Sequence, residues 1–145
     1  ELAKDAYAHV TVKPGVRAFL KQCRMENRRM ALVTSSVPVH CRTAMEKLGL
    51  MKYFESVTFA QELGLEKKDK QLWLTVARQL GVEPESCTLF DDGLAACRGA
   101  RSAKMRVVGV YDDFFAGDEK EMRAFCDVYI TGFEELLWRP EARTV

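Results

Sequence analysis

Leu89-Phe90-Asp91-Asp92-Gly93 decides the reading of this chain: it is a short apolar run that ends in two adjacent carboxylates. An apolar run of this length reads as a strand buried on both faces. The carboxyl end of such a strand is where an open parallel sheet offers side chains to a ligand. Upstream, Met30-Ala31-Leu32-Val33-Thr34-Ser35-Ser36 repeats the pattern with hydroxyls in place of carboxylates. Between the two runs, Lys67, Lys68 and Lys70 bring positive charge ahead of a helix. A hydroxyl, a lysine and a carboxylate pair at or near strand ends are the parts of a site for a phosphate and a divalent cation.

Working outward, strand and helix alternate. Glu1–His9 reads as the tail of a helix and Val10–Pro14 as an extended linker, with Pro14-Gly15 before the next helix. Val16–Met25 is predicted helical, with Val16, Phe19, Leu20 and Cys23 on one face. Met30–Thr34 is a strand and Pro38–Leu48 a helix closed by Gly49. A short strand over Val57–Ala60 leads to Lys70–Leu80, where Leu72, Trp73, Val76, Ala77 and Leu80 form a stripe that Gly81 ends. Then follow strand Cys87–Phe90, helix Leu94–Ser102, strand Val107–Val110, helix Asp118–Phe125, strand Val128–Ile130 and a helical turn over Phe133–Leu137. This order predicts an α/β fold: a doubly wound, Rossmann-like parallel sheet in a three-layer α/β/α sandwich. A length of 145 residues predicts one domain over 1–145.

Composition excludes several classes. The chain has 22 basic and 21 acidic residues and a net charge of +1, so no strong field points to nucleic acid or to an anionic membrane. Its apolar runs are far too short to span a bilayer. The opening Glu1-Leu2-Ala3-Lys4-Asp5 is no apolar signal segment. Five scattered cysteines without a Cys-x-x-Cys predict reduced thiols and a cytoplasmic setting. His40-Cys41 is the one pair that suggests a reactive thiol, but no carboxylate near it in sequence would orient the histidine. Phe114, Phe115 and Trp138 could mark an interface or cover the core, and oligomeric state is open.

Each motif has a plainer explanation. An Asp before the Leu94 helix could simply cap it. Two adjacent carboxylates are harder to explain that way, because they repel unless a cation or a lysine compensates. Thr34-Ser35-Ser36 could cap the helix that opens near Pro38, or its hydroxyl and following amides could hold phosphate oxygens. The lysines could be a solvated loop, or one of them could neutralise charge between a phosphate and the Asp pair.

In their order, these residues resemble the haloacid dehalogenase-like (HAD) hydrolases, in the phosphatase and phosphomutase branch that carries a helical cap. Val12-Lys13-Pro14-Gly15-Val16 resembles the segment that re-enters the core, and Ala31–Ser36 resembles the second motif. Glu66-Lys67-Lys68-Asp69-Lys70-Gln71 stands where the family has Gly-Lys-Pro-x-Pro-Asp, followed by Gly81-Val82 and Phe90-Asp91-Asp92-Gly93. The resemblance implies that Thr34 and Ser35 bind phosphate, that Lys67 is the catalytic lysine with Lys68 as rival, and that Asp92 with Asp91 holds Mg2+. It implies hydrolysis of a small phosphorylated metabolite through an aspartyl-phosphate.

Three departures stand out. Both prolines after the lysine are replaced by Lys68 and Lys70. Lys104 stands where a glycine is common. The family's first motif, Asp-x-Asp-Gly-Thr, is absent, and Asp5-Ala6-Tyr7 is no substitute. The chain therefore reads as the core without its nucleophile strand and cap, inactive by itself. A sugar-phosphate mutase and a non-catalytic binding or regulatory module are the alternatives. A phosphoacceptor receiver domain fits less well, because there the acidic pair precedes the hydroxyl and the lysine.

Overall fold

The computed structural model describes residues 13–138. The helix expected over Glu1–His9, the first part of the linker and Asp5 lie outside the described residues. Among the described residues five helices of the expected alternation are present: α1 (Val16–Met25), α2 (Pro38–Leu48), α3 (Lys70–Leu80), α4 (Leu94–Ser102) and α5 (Glu119–Phe125). Five strands are interleaved with them: β1 (Ala31–Thr34), β2 (Ser56–Phe59), β3 (Thr88–Asp91), β4 (Arg106–Val110) and β5 (Val128–Ile130). The closing turn over Phe133–Leu136 is a 3-10 helix. Boundaries moved by a residue where the strand pairing decides them: β3 runs on to Asp91 because Asp91 is paired with Gly109 of β4.

Among the described residues β1 pairs with β2, and β3, β4 and β5 form a second sheet in that order. β3, β4 and β5 run parallel, with Leu89 opposite Val107 and Val108 opposite Val128. Parallel neighbours need crossover connections, and α4 and α5 supply them. The described residues divide into two compact units: 13–32, 38–57 and 132–138 in the first, 33–37 and 58–131 in the second.

The second unit is built around α3 and α4. Leu72, Trp73, Cys97, Ala100 and Val107 are all at most 1% exposed. The stripe read from the sequence of α3 is the buried face, and Gly81 closes the helix in the left-handed conformation at φ 70°. The first unit is looser. No residue of α1 is fully buried, although Phe19 packs its ring 5.4 Å from that of Phe133. Here Gly15 is indispensable: it sits at φ 80°, and a β-carbon on it would lie 2.3 Å from Glu134 N. The same approach lets Phe133 N–H donate to Pro14 O at 2.8 Å.

Candidate active site

Thr34, Ser35, Lys67, Lys68, Asp91 and Asp92 all lie in the second unit, whereas His40-Cys41 lies in the first. Asp91 is the last residue of β3 and Asp92 follows it, both half-buried. Capping does not explain them. The N-cap of α4 is Gly93, with no side-chain cap bond. Asp91 Oδ1 instead accepts from Gly93 N at 2.9 Å, a local turn that fixes the carboxylate at the end of the strand. Its other oxygen, Oδ2, accepts from Lys67 Nζ at 2.8 Å. The side chains of this pair are 26% and 10% exposed, so it is screened far less than a surface pair. The compensating cation that two adjacent carboxylates demand is therefore present.

The structure separates the rival lysines. Lys68 Nζ lies 3.8 Å from Glu66 Oε1, with both side chains largely in solvent. Lys67 is the one that reaches Asp91, from a turn in which Asp69 N–H donates to Glu66 O and Glu66 N–H donates to Asp69 Oδ2.

Thr34 ends β1, half-buried, with Ser35 exposed beside it. Thr34 Oγ1 accepts from Ser36 N at 2.9 Å. That bond ties up one of the amides expected to face an anion and leaves the Thr34 proton to donate elsewhere. Thr34 thus bonds within its own loop, while Lys67 and Asp91 bond to each other.

The floor beneath Asp91 is apolar. Cys97 Sγ lies 3.9 Å from Asp91 O, and burial, followed by the nearby Cys126 and Asp91, raises the Cys97 thiol far above its ordinary pKa. It packs as a small hydrophobe. Cys41 is buried as well, and burial raises its pKa, which argues against a reactive His40-Cys41 pair. Phe115 approaches Gly93, its Cζ 4.0 Å from where a β-carbon would stand. Its neighbour Phe114 is 84% exposed and covers no part of the core. Among the described residues no three His, Cys, Asp or Glu side chains gather as a ready metal centre.

Two residues at this site went unnoticed in the sequence. Trp73 Nε1 donates to Lys67 O at 2.7 Å, and Gly99 of α4 lies against the same carbonyl. Trp73 was hidden inside an apolar stripe. Gly99 carried a signal, since glycine inside a helix is unfavourable unless something approaches closely.

The model of the haloacid dehalogenase-like hydrolases matches residues 3–104. Over 124 residues the chain is 30% identical to the glyceraldehyde 3-phosphate phosphatase of Methanopyrus kandleri, covering 82% of this chain and 53% of that protein. It is also 30% identical over 97 residues to the beta-phosphoglucomutase of Bacillus subtilis, covering 67% of this chain and 42% of that protein. The chain spans about half the length of the curated relatives it matches. The crystal structure of a HAD phosphatase from Thermococcus onnurineus matches with a TM-score of 0.78, covering 93% of this chain and 60% of that one. At 24% identity this likeness speaks for the fold, a Rossmann-type α/β arrangement. No helix among the described residues is long and apolar enough to cross a membrane.

Proposed function

The chain belongs to the haloacid dehalogenase-like hydrolase family, and on that premise we propose that the protein carrying it hydrolyses small phosphate monoesters with Mg2+ through an aspartyl-phosphate. The observation that carries this reading is the 2.8 Å pair of Lys67 Nζ and Asp91 Oδ2 at the end of β3, beside Asp92. A structural ion pair needs no second carboxylate next to it, whereas a phosphoryl site needs both signs of charge. Lys67 neutralises a phosphoryl oxygen that enters beside it, and the Thr34 hydroxyl and the Ser35 amide donate to others. In this reading Asp92 is the principal protein ligand for the cation and Asp91, which accepts from Lys67 and Gly93, assists. A hard cation takes about six oxygens, several of them from water, and two adjacent carboxylates fit part of such a set. Bound there, Mg2+ supplies further positive charge to the phosphoryl group.

No Asp-x-Asp occurs in these 145 residues. In this reading the attacking carboxylate and the acid/base carboxylate come from sequence outside them, and the 145 residues alone bind but do not turn over. The five free cysteines fit a reducing, cytoplasmic setting. A sugar-phosphate mutase is the second reading, favoured by the similarity to a protein named beta-phosphoglucomutase.

The test is a screen of the full-length protein against sugar phosphates and p-nitrophenyl phosphate, with and without Mg2+. Phosphate release that needs Mg2+ is expected. It should fall about 10²–10³-fold in Lys67→Met, and Asp92→Asn should weaken the response to Mg2+. Conversion of one sugar phosphate into another without net phosphate release would favour the mutase. Phosphate binding without turnover would leave a non-catalytic module.

A further inference from the structure

We propose that Trp73 and Gly99 are positioning residues for Lys67, holding its backbone so that its ammonium meets Asp91. The proposal rests on the phosphoryl-binding role given to Lys67 above. A lysine side chain has four flexible carbons, so its head is placed only if something also holds its backbone. Lys67 belongs to a turn, not to a helix or strand, and its carbonyl takes no part in a regular hydrogen-bond ladder. Trp73 supplies the missing hold. It is 1% exposed, and an indole N–H so deeply buried must find an acceptor. The acceptor is Lys67 O, at 2.7 Å. Phe or Leu would also be apolar at this position of α3, but neither could make this bond.

Gly99 makes room for it. A β-carbon there would lie 2.3 Å from Lys67 O, 2.8 Å from Trp73 Nε1 and 2.9 Å from Lys68 C. The absence of a side chain thus lets the lysine turn lie directly on α4. The same helix begins at Leu94, just after the Asp91–Gly93 turn. One short segment therefore presents Asp91 to the head of Lys67 and Gly99 to its backbone. Displacement of the carbonyl would shift the ammonium relative to the phosphoryl site, and shifts of about 1 Å are enough to slow an enzyme up to about 100-fold.

The experiment is a double-mutant cycle in the full-length protein with p-nitrophenyl phosphate and Mg2+. Trp73→Phe keeps an aromatic ring of smaller size and removes the N–H, while Gly99→Ala adds the obstructing carbon. Each should lower kcat about tenfold with KM little changed, because the charge on the phosphoryl group matters most in the transition state. In a Lys67→Met background neither should lower kcat by more than about twofold, since the group they place is gone. Equal losses in both backgrounds, or no loss with Lys67 present, would overturn the proposal. If Lys67→Met itself left kcat unchanged, the reading of the site would fail first, and this inference with it. A measurement on the unsubstituted protein covers the case in which a variant does not fold. The Trp73 indole proton should exchange with solvent far more slowly than a free indole; exchange at the free rate would show that the bond to Lys67 O is not held.

Discussion

Helices α1 and α3 start from similar patterns and end in different places. Each carries apolar residues at spacings of three and four. In α3 the stripe is sealed, with Leu72 at 0% and Trp73 at 1% exposure. In α1 the corresponding face stays half-open, and no residue on it is fully buried. Periodicity states which face of a helix turns inward; how completely that face is covered depends on what packs against it. The difference bears on function, because the lysine turn, the Asp pair and their supports all belong to the tightly packed unit. A site whose charges must be held within a fraction of an ångström is better built on such a base.

The contrast can be broken by measurement. Trp73→Ala should cost about 3–5 kcal/mol, as for other large aromatic truncations in a closed core. Urea unfolding measures it. Gly15→Ala combines a left-handed φ with a contact to Glu134 backbone. Gly81→Ala has a similar φ but nothing within 4 Å of the added carbon. The second should cost roughly 1–2 kcal/mol, and the first clearly more; equal losses in paired melts would mean that the close approach of Gly15 carries no weight. Phe19→Ala should cost only about 1 kcal/mol, near half the gain from fully burying such a ring. A loss equal to that of Trp73→Ala would end the contrast between the two helices.

The smallest effect sharpens the comparison through pH. Asp127 accepts from Val107 N at 2.8 Å and lies 3.0 Å from Arg101 Nη2. Its carboxyl is held below the ordinary range, first by the Val107 N–H and, against the opposing effect of burial, by Arg101. A carboxyl lowered by folding stabilises above its unfolded pKa, about 3.9, and that stability is lost as pH falls through the folded value. Asp127→Asn should therefore cost about 0.5–1 kcal/mol near neutral pH, given its partial exposure. The difference should vanish in acid, well below about pH 4. A deficit that persisted there would assign the effect to packing.

Most of the fold was legible. α1, α2, α3 and α4 begin and end where apolar spacing, glycine and proline put them. Short 3-10 turns such as Met51–Tyr53 and Pro84–Ser86 were not foreseen, since a single turn has no periodicity to detect. The residues of the candidate site were legible too, as Thr34, Lys67, Asp91 and Asp92 stand at strand ends or ahead of a helix. Their connections were not. The sequence left Lys67 and Lys68 as equals, it offered capping as a reason for Asp91, and it showed Trp73 only as part of an apolar stripe.

By itself the sequence determined the alternation of strand and helix, the buried faces, the residue types at the strand ends and the absence of an Asp-x-Asp. These follow from local order along the chain, where spacing and residue type suffice. Only the tertiary structure decided that Lys67 and not Lys68 meets Asp91, that Asp91 turns back on Gly93, and that Trp73 and Gly99 lie against the Lys67 carbonyl. Lys67 and Asp91 are 24 residues apart in the chain and 2.8 Å apart in space. A contact of that kind exists only once α3 and α4 have packed, because the packing brings the lysine turn and the end of β3 to the same point.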